Sequence, residues 1–273
     1  MRCSWDWSSV SKSTVLLTLG CVGVLSAAAI AAQNAAAPPE APPVSEFASV
    51  ESLMNQVDYH IERIGQSLDA ARYSEATQSR VAKDASVLIV LFMALGLHDE
   101  ESAVKAAAPR LVELSEELVT SATEQDKAKA VYQELTAAMK DGASGGRPLS
   151  WEKRAQLGLL MKQVTTIHSR LKRHTRRESS LASRKDEAGG QAALLAAIGQ
   201  AALVDTHEVK EPDMLDEWYK YASEMRAAAG AVGKAIAQDD FAAVQASMER
   251  LTTNCDGCHE AFRLAPISVQ IVQ

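Results

Sequence analysis

The sequence predicts an all-α protein, built as two tandem four-helix bundles behind an N-terminal export signal. Three observations carry that reading. Apolar residues recur at spacings of three and four, as in Leu53, Val57, Ile61, Ile64 and Leu68, which is the pattern of one buried helix face. Aromatic residues are only 5% of a chain that is 47% hydrophobic and rich in alanine, a composition suited to closely approaching helices rather than pleated sheets. Several short motifs of the first half also return, in order, in the second.

Residues 1–31 have the form of a signal peptide or membrane anchor. Arg2 and Lys12 precede an apolar run over 15–30, and Ala29-Ile30-Ala31 offers a small-residue cleavage site. The run is nearly long enough to stay as an anchor, and Leu19-Gly20-Cys21 faintly resembles a lipoprotein processing site. Cleavage would remove Cys3 and Cys21 and leave Cys255 and Cys258 as the chain's cysteines. Residues 32–48, rich in alanine and proline, read as a semi-rigid linker.

Beyond the linker the chain carries a tandem repeat. Leu53-Met54-Asn55-Gln56-Val57 returns as Leu160-Met161-Lys162-Gln163-Val164, and Arg63-Ile64 as Arg170-Leu171 at the same offset. Lys83-Asp84 is echoed by Lys185-Asp186, and Gln125-Asp126 by Gln238-Asp239. Residues 49–141 are expected to hold helices near 47–70, 75–97, 100–123 and 126–140. Residues 149–266 are expected to hold a second set near 149–181, 185–206, 211–236 and 239–263. Short polar breaks such as Gln238-Asp239 favour antiparallel neighbours.

The net charge is −7; Arg2, Lys12 and Asp6 sum to +1, so the chain without its leader carries −8. That balance argues against a general nucleic-acid binder. Nothing in the pattern assembles acid/base or nucleophilic groups, so enzymatic activity is not expected. One run of opposite sign stands out: Arg170, Lys172, Arg173, His174, Arg176 and Arg177. It reads as a solvated helix end, or as a dock for an acidic redox partner or anionic lipid.

The chemistry is concentrated in Cys255-Asp256-Gly257-Cys258-His259, the C-x-x-C-H attachment pattern of c-type haem. Two thiols at this spacing can form thioethers to one porphyrin, and the adjacent histidine can reach the iron. Both cysteines fall on the apolar stripe of Phe241, Val244, Met248, Leu251 and Phe262. A zinc site would need four ligands, and a thioredoxin-like pair would need a βαβ context. Shifting the pattern back by one repeat lands on Gly142, Gly145 and Gly146, which cannot hold a haem covalently, so one haem per chain is expected.

The stretch Thr252–Arg263, with Phe262-Arg263 after the motif histidine, resembles the C-terminal pattern of the cytochrome c′ family. The likeness is specific over the last helix and loose before it, and the first bundle shares only the helix pattern. It implies a single haem c held by Cys255 and Cys258, with His259 as proximal ligand, in a periplasmic protein that carries electrons or binds diatomic gases. Some members of that family leave the iron five-coordinate and bind NO or CO; low-spin relatives place a methionine of the first helix on it. Met161 stands where such a distal ligand would come from, although its counterpart Met54 lies in the haem-free copy and favours plain packing. His168 is either a ligand or a core histidine bonded to a backbone carbonyl; Trp218 and Met225 are candidate pocket walls. Arg263 is a candidate partner for a haem propionate, or a surface arginine. The partners implied are a redox protein or a diatomic gas, and a membrane only if the leader stays uncleaved or is lipidated.

Overall fold

Ser49 opens the first helix. Its hydroxyl accepts the Ser52 backbone N–H at 3.2 Å, and α1 runs Val50–Leu68. Ser74 caps Thr77 in the same way and starts α2, Glu75–Gly96. Then come α3 (Ala108–Ser121), α4 (Gln125–Asp141), α5 (Leu157–Thr175), the short α6 (Glu178–Ser183), α7 (Lys185–Ala202), α8 (Leu215–Ala237) and α9 (Phe241–Phe262). The architecture is that of a computed structural model, which describes residues 37–143 and 145–262. The leader, the first part of the linker, Arg263 and residues 264–273 lie outside the described residues. Among the described residues there is no strand, and no helix is long and apolar enough to cross a membrane.

The predicted helices are present, and their ends differ for identifiable reasons. α3 starts at Ala108 rather than near 100, with Pro109 in its first turn, where a missing N–H leaves nothing unpaired. α5 starts at Leu157 rather than 149; its first N–H donates to the buried Asp205 carboxylate at 3.3 Å, a cap supplied from across the fold. The residues before it are fastened instead by Arg154, only 4% exposed, whose guanidinium donates to Glu116 at 2.5 and 2.7 Å. The chain turns extended at Arg177, which separates α6 from α5. α4 stops at Gly142 in the left-handed region (φ 67°), where the repeat predicted a helix stop.

The linker is shorter than its composition suggests. Val44, Phe47 and Ala48 are buried, and Ser45 donates through its backbone N–H and hydroxyl to the Asp99 carboxylate at 2.9 and 2.5 Å. Gly230 of α8 lets this segment in: a Cβ there would lie 3.0 Å from the Phe47 Cα.

Each half folds in the same order, α1 on α2, α2 on α3 and α3 on α4, then α5 on α7, α7 on α8 and α8 on α9. Across the halves α1 packs on α7, α5 on α2, and α2 on α7. That reciprocity is what an isologous contact between two copies produces, here within one chain. α2 and α7 form the centre. Residues 84–95 and 190–200 are buried on every side, so one hydrophobic core runs through both halves. One detail of the repeat needs correction. Asp84 is fully buried in the middle of α2, whereas Asp186 is exposed in the first turn of α7. At the α1/α5 offset, the counterpart of Asp84 is Gln191.

At this junction the core holds a polar node. The Asp84 carboxylate accepts from His60 Nδ1 at 3.0 Å and from Gln163 Nε2 at 2.6 Å, and Arg63 Nε lies 3.3 Å from its other oxygen as an ion-pair partner. The node ties α1, α2 and α5 together.

α7 and α8 approach closely at Gly199. A Cβ there would lie 2.6 Å from the Arg226 backbone nitrogen and 3.2 Å from the Ala222 carbonyl oxygen, and neither backbone atom can swing aside. Gly199→Ala is therefore expected to push α8 off α7 and to cost about 1–3 kcal/mol, measured by chemical denaturation. An unchanged unfolding midpoint would show that α8 does not approach so closely.

Candidate functional site

α9 carries the motif, and α8 is the helix it lies along. The two meet closely because residue 257 is glycine: a Cβ there would stand 3.1 Å from the Tyr221 ring. Asn254, buried one turn earlier, donates from Nδ2 to the Tyr221 carbonyl at 3.0 Å. Phe262 meets the Trp218 ring edge-on at 5.1 Å and the Tyr221 ring at 6.2 Å. Trp218 is fixed in turn by its indole N–H, which donates to the Ala202 carbonyl at 2.9 Å.

These contacts frame a cavity of about 540 Å³ between α5, α8, α9 and the end of α7. Cys255, Cys258 and His259 face it from α9, Trp218 and Met225 from α8, and Met161 and His168 from α5. Seven residues proposed from sequence are thereby brought to one space. Met54 is not among them; it packs half-buried against the main core. Arg263 lies outside the described residues.

Both thiols are half-buried and neither is in a disulfide. Burial, reinforced by Asp256, pushes the Cys255 thiol up to about 11. Burial, with Cys255 and Glu217 adding to it, pushes Cys258 up to about 11 as well. Both are thiols rather than thiolates in neutral solution. In the haem-free chain, alkylation by iodoacetamide should accordingly be slow at pH 8 and rise steeply toward pH 11, because the thiolate is the reactive form. Modification at pH 8 as fast as that of a small-molecule thiol would contradict this burial.

His168 differs from its expected role. Its Nε2 lies 3.2 Å from the Thr252 hydroxyl, which itself donates to the Met248 carbonyl at 2.8 Å, so the partner is a side chain and not the backbone. Burial holds its pKa below the ordinary histidine value, with Lys172 acting in the same direction. Tyr221 and Asn254 were missed by sequence reasoning. Tyr221 lies one turn after Trp218 and could have been found from that spacing; Asn254 reads as one more polar residue and gives no such sign.

The residues present suit a haem. Leu157, Val164, Ala202, Trp218, Ala222 and Phe262 give the cavity apolar walls, while two thiols and an imidazole converge from one helix. That donor set on a helical bundle defines the class: a c-type cytochrome, which carries covalently bound haem c. Residues 212–263, which span α8 and α9, match the family model described as Cytochrome C', and this region of the chain is similar to that family. Searches of curated proteins and of solved structures returned no match.

Proposed function

We propose that this chain is an exported electron carrier with one haem c, held by thioethers to Cys255 and Cys258, with His259 as proximal and Met161 as distal iron ligand. The observation that carries the reading is the shared cavity: Met161 from α5 faces the same space as Cys255, Cys258 and His259 from α9. The haem would supply a one-electron iron couple, and Met/His ligation suits electron transfer by raising its potential. The chain's own part is to hold the site fixed against an apolar wall. Trp218, Met225 and Phe262 give it that surface, and the hydrogen bonds of Trp218 and Asn254 hold α8 in place beside the motif. The leader pattern supports export, and a redox protein is the proposed partner rather than a substrate.

The test is direct. Protein made in a host competent for haem attachment is expected to gain the mass of one haem. Its reduced optical spectrum should be low-spin and unchanged by CO. An unmodified mass with titratable thiols at Cys255 and Cys258 would refute the attachment. A high-spin spectrum that shifts with CO would instead make the protein a five-coordinate gas-binding module.

A further inference from the structure

α5 begins without a cap of its own. Gln156, the residue before it, makes no capping hydrogen bond with its side chain, and the Leu157 N–H donates instead to Oδ2 of Asp205 at 3.3 Å. Asp205 stands just past the end of α7, in the loop toward α8, and is 3% exposed. Its other oxygen, Oδ1, accepts from Lys153 Nζ at 2.8 Å and from His207 Nδ1 at 2.6 Å. One buried carboxylate therefore gathers the segment before α5, the first N–H of α5 and the α7–α8 loop. Burial by itself would raise the Asp205 carboxyl, but Lys153 and His207 outweigh it and hold it below its ordinary value, so it is a carboxylate in neutral solution. The helix dipole also favours a negative charge at this end of α5.

What this clasp holds is one wall of the haem cavity. Leu157, Gly158 and Met161 line that cavity from the first turns of α5, and Met161 follows Leu157 by four residues, so the two share a face. The same end of α7 fixes a second wall. The Ala202 carbonyl accepts from the Trp218 indole, and Ala202 and Glu208, on either side of Asp205 in sequence, both line the cavity. Fraying starts in the first turn of a helix, where the N–H groups have no partner inside the helix. In α5 that turn ends at Met161, so loss of its cap loosens the methionine first.

We propose that Asp205 is a positioning residue for the distal side of the haem: by capping α5 it keeps Met161 seated in the cavity it shares with His259. The inference rests on the reading of Met161 as distal ligand. Asp205 does not itself line the cavity, so its effect runs through the helix it caps.

The test is the rate at which cyanide binds the ferric, haem-loaded full chain, measured at saturating cyanide, where departure of Met161 from the iron sets the rate. Asp205→Ala should speed it by about 5-fold or more, the effect of losing one helix cap. Asp205→Asn keeps the shape and one accepting oxygen; its rate should fall between those two, and it stands in should alanine fail to fold. Ser74→Ala removes the cap of α2 in the haem-free half, a loss of the same kind, and should leave the rate unchanged. A high-spin wild type overturns the ligation by Met161 and this assignment with it. A low-spin wild type that Met161→Ala converts to high spin, with Asp205 variants binding cyanide at the wild-type rate, keeps the ligation and overturns the role of Asp205 alone. Equal acceleration by Ser74→Ala overturns that role as well, because the effect is then a general loosening.

Discussion

Replacing Asp84 by alanine is expected to lower the unfolding free energy by about 3–5 kcal/mol, the cost typical of removing one partner from a buried charged cluster. Asp84 is fully buried, and its carboxylate is the shared acceptor for His60 on α1 and Gln163 on α5, with Arg63 alongside. The substitution leaves the His60 N–H and the Gln163 amide buried without an acceptor, and leaves Arg63 without its counter-charge. It also cuts the polar node that joins α1, α2 and α5, so the junction between the halves should loosen first. Asp84→Asn keeps one acceptor oxygen and should cost less. Guanidinium denaturation of the three proteins gives the ranking, and a loss below about 1 kcal/mol for alanine would show that the node is not what joins the halves.

The fold was legible where periodicity was strong. The stripe beginning at Leu53 places α1, and Gln238-Asp239 marks the break before α9. Periodicity does not say what covers the face opposite a stripe. α2 and α7 are buried all round, so their partners had to come from the other half of the chain, which helix patterns read one bundle at a time do not reveal. The ends of α5 depended on residues far away in sequence. Asp205 caps its start, and Arg154 is held by Glu116 on α3. Phe47 was hidden for a related reason, since its burial rests on a missing side chain at Gly230.

The haem wall was legible because its residues are consecutive. Cys255, Cys258 and His259 announce their chemistry at a fixed spacing, and helical geometry then aims them together.

Met161→Ala is expected to convert a low-spin, CO-insensitive protein into a high-spin form that binds CO, while Met54→Ala leaves the spectrum unchanged. The two methionines occupy matching places in the repeat, and both are half-buried, so a packing role alone predicts similar behaviour for both. Both pack against the main core, and their surroundings differ in one respect: Met161 also lines the cavity that holds Cys255, Cys258 and His259, and Met54 does not. If Met161 only packs, the wild type should already be high-spin, and the substitution should cost no more than about 2–5 kcal/mol of stability without a spectral change. The thioether is therefore tested by the spectrum rather than by the melting curve. A low-spin spectrum that survives Met161→Ala would move the ligand elsewhere in the same cavity. Met225 is then the first candidate, because His168 already has its Nε2 engaged by Thr252.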